Sequence, residues 1–160
     1  MKTILLVEDE AIIAMNEARM LEKHGHEVVI VYNGEKAIET VNQESIDLIL
    51  MDIDLGGGKM DGTEAAEIIL KSHEVPIVFL TSHTEKEMVD KVKGLTRYGY
   101  VVKNSGELVL IESINMAFEL FEANRELQIK EIESREIVDN IDSTGLKHEE
   151  LLANIFARPG

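Results

Sequence analysis

The sequence predicts a doubly wound α/β fold, five parallel strands alternating with five helices, the last helix extended. Three observations predict it. Short apolar runs, such as Ile4 to Val7 and Ile77 to Leu80, alternate with stretches of helical apolar spacing, the pattern of βα units in a parallel sheet. The run Leu48-Ile49-Leu50-Met51 is apolar at every position, as a strand buried on both faces requires. The runs also end in polar residues, Glu8-Asp9, Asp52-Ile53-Asp54, Thr81-Ser82 and Lys103, at the carboxyl ends where open α/β sheets collect ligands.

In chain order, Thr3 to Val7 reads as the first strand, and Ala11, Ala14, Met15, Ala18 and Leu21 mark the inner face of a helix. Gly25 is its expected stop. Val28 to Val31 is the second strand, Asn33-Gly34 a turn, and Ala37, Ile38 and Val41 the next helix. The third strand, Asp47 to Met51, leads into a glycine-rich loop, Gly56 to Gly62, and a helix with Ala65, Ala66, Ile68 and Ile69 inward. Pro76 opens the fourth strand, where a missing N–H is tolerated. Thr84 and Glu87 have capping-box spacing before a helix that should stop at Gly94. Tyr98 to Val102 is the fifth strand, and Ser105 the expected cap of a helix with Leu108, Ile111, Ile114, Phe118 and Phe121 inward.

Three segments follow from this: a domain over 1–121, a helical extension over 122–141, and a short helical tail or fragment of a following module over 142–160. The extension lacks Gly and Pro and carries Glu126/Lys130 and Glu131/Arg135 as i,i+4 pairs. Its apolar residues do not keep a strict heptad, so a dimeric coiled coil and a single exposed helix both stay open.

Composition narrows the function. With 31 acidic and 16 basic residues, a net charge of -15 opposes nonspecific binding to nucleic acid or anionic membranes. Partners should be proteins or cations. The absence of Cys excludes thiolate metal sites and disulfides. No apolar run approaches a signal-peptide core or a membrane span, so a cytoplasmic location is expected.

Glu8, Asp9, Asp52, Thr81 and Lys103 converge on one crevice in such a sheet. Carboxylates about 4 Å apart repel by roughly 4 kcal/mol at an effective dielectric near 20, so three of them call for a hard cation such as Mg²⁺. Thr81 and Lys103 offer the hydroxyl and point charge that a transferred phosphoryl group needs, with Asp52 as nucleophile. Singly, each has a plainer reading: Glu8 and Asp9 as helix-dipole charges, Thr81 as a cap, Lys103 as a solvated turn residue.

This ordered set resembles the receiver domain of two-component response regulators, which has a flavodoxin-like, CheY-like fold, over about residues 1 to 121. The resemblance implies that Asp52 is the phosphoacceptor, that Glu8, Asp9, Asp52 and the backbone carbonyl of Asp54 hold Mg²⁺, and that Thr81 and Tyr100 form a switch while Lys103 contacts the phosphoryl group. It places Asp54 and His83 where side chains tune phosphate lifetime. It implies a histidine kinase or phosphotransfer protein as donor and a downstream sensor or kinase module as recipient, with a homodimer through the C-terminal helix as one form of output. Receivers usually carry Pro after the lysine, whereas Asn104 stands here; a cis bond before a non-proline residue costs about 2.5 to 4 kcal/mol, so the loop is either trans or strained. No enzymatic turnover is expected beyond assistance to its own phosphorylation and dephosphorylation. The alternatives are a phosphate-independent docking or dimerisation module and, a poorer fit, a haloacid-dehalogenase-like phosphatase using Asp52 and Asp54.

Overall fold

The computed structural model describes residues 1–144 except 57–59, 83–85 and 97, with side chains described as far as Ile137. The elements are β1 (Thr3–Val7), α1 (Ala11–Lys23), β2 (Glu27–Val31), α2 (Gly34–Gln43), β3 (Leu48–Asp52), α3 (Gly62–Leu70), β4 (Ile77–Thr81), α4 (Lys86–Leu95), β5 (Tyr100–Val102) and α5 (Glu107–Thr144). All strand pairs are parallel, in the order β2-β1-β3-β4-β5. The chain divides into two compact units, Met1–Phe121 and Glu122–Gly160.

Alternation along the strands builds two cores. Leu5, Val7, Ile49, Met51, Ile77 and Phe79 join residues of α2, α3 and α4 on one face. Ile4, Leu6, Leu48, Leu50, Val78 and Leu80 join α1 and α5 on the other. The central strands β3 and β4 are buried at every position, which is why they read as unbroken apolar runs. The order reverses between β1 and β3, and this switch point leaves a crevice at the carboxyl edge.

Several expected details differ. Asn33-Gly34 is a helix start rather than a free turn: the Asn33 side chain accepts the Lys36 N–H at 2.8 Å, capping α2. Helix α4 runs through Gly94 to Leu95, since one glycine costs a helix only about 1 kcal/mol. Gly106 directly precedes α5, so Ser105 stands one position too early to cap it. Met15, Ile68 and Leu108 are exposed, because the buried stripes run through Ala14, Ala18 and Leu21, through Ala65, Ala66 and Ile69, and from Leu110 onward. β5 starts two residues later than Tyr98, after Gly99 in a left-handed conformation with φ +89°. Thr84, His83 and the tail from residue 145 lie outside the described residues.

Candidate functional site

The strand register brings the polar ends together. Val7 pairs with Met51, so Glu8 and Asp52 lie level one residue on, and Thr81 pairs with Val102. The Lys103 N–H donates to the Thr81 carbonyl at 2.8 Å, fixing the start of the loop after β5. From there the Lys103 ammonium donates to Asp52 Oδ2 at 2.9 Å and reaches Glu8 Oε2 at 3.5 Å. The Asp54 N–H donates to Asp52 Oδ1 at 3.2 Å. Carboxylate oxygens of Glu8, Asp9 and Asp52 all lie within 4.8 Å of one another. Glu8 and Asp52 are 0% and 1% exposed, against 2% for Thr81.

Crowding and burial set the electrostatics. Burial first, then the adjacent Asp52 carboxyl, pushes the Glu8 carboxyl up to about 8. Burial opposes the Lys103 ammonium, but Asp52 and Glu8 outweigh it and hold its pKa above the usual lysine value. Oε1 of Glu8 is buried without a partner among the described residues, an expensive condition for a carboxylate. A lone lysine therefore leaves the acidic group only partly compensated.

Backbone packing holds Asp52 in place. The Gly62 N–H donates to the Ile53 carbonyl at 2.9 Å, and a Cβ at Gly62 would overlap the Asp52 carbonyl. Asp61 caps α3 by accepting the Glu64 N–H at 2.9 Å and the Thr63 hydroxyl at 2.6 Å. A Cβ at Gly56 would come within 2.8 Å of Asp9 Oδ2, so the loop after β3 passes close over the acidic pair.

Asp54 is exposed, with its backbone on Asp52. Tyr100 is half-buried and packs against the core on the α2, α3 and α4 face. Among the described residues no peptide is cis, and Asn104 has φ +67°. Two residues near the site escaped the sequence reading. Gly62 looked like one of several loop glycines. Glu17 lies on α1 at the apolar i, i+3, i+4, i+7 stripe formed with Ala14, Ala18 and Leu21, a spacing that was legible; burial, with Asp52 adding to it and Lys103 opposing it, moves its carboxyl up to about 7.

The donor set at Glu8, Asp9 and Asp52 is all oxygen, with one buried oxygen in want of a partner, and it fits a small hard divalent cation. No described helix is long and apolar enough to cross a membrane.

Residues 4–115 match the response regulator receiver domain. The transcriptional regulatory protein PdtaR of Mycobacterium tuberculosis is 32% identical over 121 residues, covering 75% of this chain and 58% of that protein. The chain thus spans little more than half the length of this relative. The N-terminal domain of a response regulator/sensory box/GGDEF three-domain protein from Carboxydothermus hydrogenoformans is 48% identical, with a TM-score of 0.71 over 77% of this chain and 98% of that one. The receiver domain of a modulated diguanylate cyclase from Desulfovibrio desulfuricans G20 is 31% identical, with a TM-score of 0.70 over 76% of this chain and 97% of that one.

Proposed function

This chain belongs to the response regulator receiver domain family, and on that premise we propose that Asp52 accepts a phosphoryl group from a phosphohistidine of a partner histidine kinase or phosphotransfer protein. The observation that carries the reading is the 2.9 Å contact of Lys103 with an acceptor carboxylate set among Glu8 and Asp9. One Asp52 oxygen forms the new O–P bond, the P–N bond to the donor imidazole breaks, and the imidazole leaves with the electron pair and takes up a proton. Lys103 meets the charge on the phosphoryl oxygens, and Thr81, at the adjoining strand end, supplies a hydroxyl donor.

Mg²⁺ held by Glu8, Asp9, Asp52 and the Asp54 carbonyl would supply charge neutralisation at the acidic cluster and an anchor for a phosphoryl oxygen. Thr81 and Tyr100 form the switch, and the signal leaves through α5 and its extension to a downstream sensor or kinase module or to a second copy of the chain. Asp54 and His83 tune the lifetime of the acyl phosphate. In this reading the protein works in the cytoplasm and turns over no substrate of its own. The domain covers 1–121, the extension 122–141, and residues 142–160 are a short helical tail or a fragment of a following module.

Incubation with acetyl phosphate and Mg²⁺, followed by intact mass measurement, tests the proposal. The parent should gain one phosphoryl mass and Asp52→Ala none. An unlabelled parent, or equal labelling of the variant, overturns it.

A further inference from the structure

Between α1 and the loop from β5 to α5 lies a cavity of about 430 Å³, lined among others by Ile13, Asn16, Glu17, Met20, Lys103 and Asn104. Its floor is apolar, with Leu80, Val101 and Leu110. Glu17 faces this space from α1, and its Oε2 is buried with no partner among the described residues. A carboxylate in such a place wants a hydrogen-bond donor. The adjacent cation is Lys103, which lines the same cavity and keeps 22% of its side chain exposed.

An ammonium has three donors, and Lys103 commits two, one of them at 3.5 Å. Its stem is long and flexible. A cation on the oxygens of Asp52 and Glu8 competes with Lys103 for them and weakens these bonds, the 3.5 Å one first. The cavity offers it room, and Glu17 offers it the second carboxylate. We propose that Glu17 is a positioning residue for Lys103, receiving the ammonium when its contact with Asp52 is released and keeping it within reach of the acceptor. The functional sense of this pairing rests on the reading of Asp52 as phosphoacceptor, which gives Lys103 a reason to stay within reach. It also explains a charged residue within the apolar stripe of α1, where a leucine would pack without cost.

The test uses the full chain with Mg²⁺ alone as the probe, comparing the parent with Glu17→Gln, Glu17→Asp and Glu17→Leu. Lys103 is followed through its side-chain ¹⁵Nζ and ¹³Cε signals. In the Mg²⁺-saturated parent the Nζ hydrogens should stay protected from exchange, whereas Gln and Leu should lose that protection and weaken Mg²⁺ binding about fivefold, the scale of one partly exposed ion pair. Asp should recover most of both. Since Leu suits the apolar stripe, its melting curve separates loss of fold from loss of pairing. If Lys103 protection in the Mg²⁺-bound state is the same in the parent and in Glu17→Gln, the proposal is wrong. Acetyl phosphate labelling of the same samples separates the two ideas. An unlabelled parent whose Lys103 signals still depend on Glu17 removes the acceptor reading alone, and a labelled parent whose Lys103 signals ignore Glu17 removes the pairing alone.

Discussion

Lys103 and Asp52 meet at 2.9 Å although their strands are not neighbours: β4 lies between β3 and β5. The bond spans the carboxyl edge of the sheet and ties together two positions 51 apart in the chain. Removing the lysine strands the buried side chains of Asp52 and Glu8. Lys103→Met should therefore lower the unfolding free energy by about 3 kcal/mol without divalent cation, the lower end of the range of about 3 to 5 kcal/mol for a broken buried pair, because Lys103 is partly solvated. In urea titrations, Asp52→Asn combined with Lys103→Met should cost less than the sum of the single changes. Strict additivity would mean that the contact carries no coupling.

Gly62→Ala should be costly. The added methyl meets the Asp52 carbonyl, and overpacking of this kind costs about 1 to 3 kcal/mol. Because the displaced group belongs to Asp52, the proposed phosphoacceptor, labelling by acetyl phosphate should slow as well. Gly94→Ala is the control: its Cβ meets open space within α4, so stability should rise by about 0.5 kcal/mol. Equal effects at the two sites would refute the packing argument.

The loop after β5 should resist proline. Asn104 sits at φ +67°, whereas proline holds φ near about −65°. Asn104→Pro is expected to lose more than about 1 kcal/mol, with weaker acetyl phosphate labelling as Lys103 shifts. Asn104→Gly, which takes that conformation without a Cβ, should stay within about 0.5 kcal/mol of the parent. A proline variant as stable as the parent would show that the loop adopts a second conformation readily.

His26 should lend the protein a local acid sensitivity. Its ring lies 5.9 Å from that of Phe118, and Nδ1 is buried without a partner among the described residues. Burial, with His24 and the N-terminal ammonium adding to it, lowers its pKa. The unfolded chain therefore takes up a proton at higher pH than the folded one, and stability falls as pH drops below about 6.5, the unfolded value. Between about pH 7 and pH 5 the parent should lose more stability than His26→Phe; parallel melting curves would remove His26 as the cause.

How much of this could be read from residues alone follows from how local each signal is. The strands β3 and β4 announced themselves because burial on both faces leaves no polar position, and their polar ends marked the crevice. The resemblance then supplied roles for Asp52 and Lys103, and the strand register shows them in contact. Gly62 was illegible because its need for a missing Cβ arises from an approach of α3 to β3 that no local pattern records. Leu108 was misjudged because spacing gives the face of a helix but not the point at which it reaches the sheet. Glu17 was readable as a charge on an apolar stripe, yet only the structure shows the cavity it shares with Lys103.

Glu8 and Lys103 stand 95 residues apart in the chain, each just past the end of a strand, the first and the last in chain order. β5 is a three-residue edge strand, the sort of element that opens before the rest of a domain does. A ligand that draws on both Glu8 and Lys103 therefore binds only molecules whose last strand has docked, and it adds stability to that population by mass action, about 2.7 kcal/mol at a hundredfold excess over Kd. Occupancy at the acidic crevice is thereby a gauge of edge closure. The contacts of Lys103 with Asp52 and Glu8 tie the crevice to the edge of the sheet.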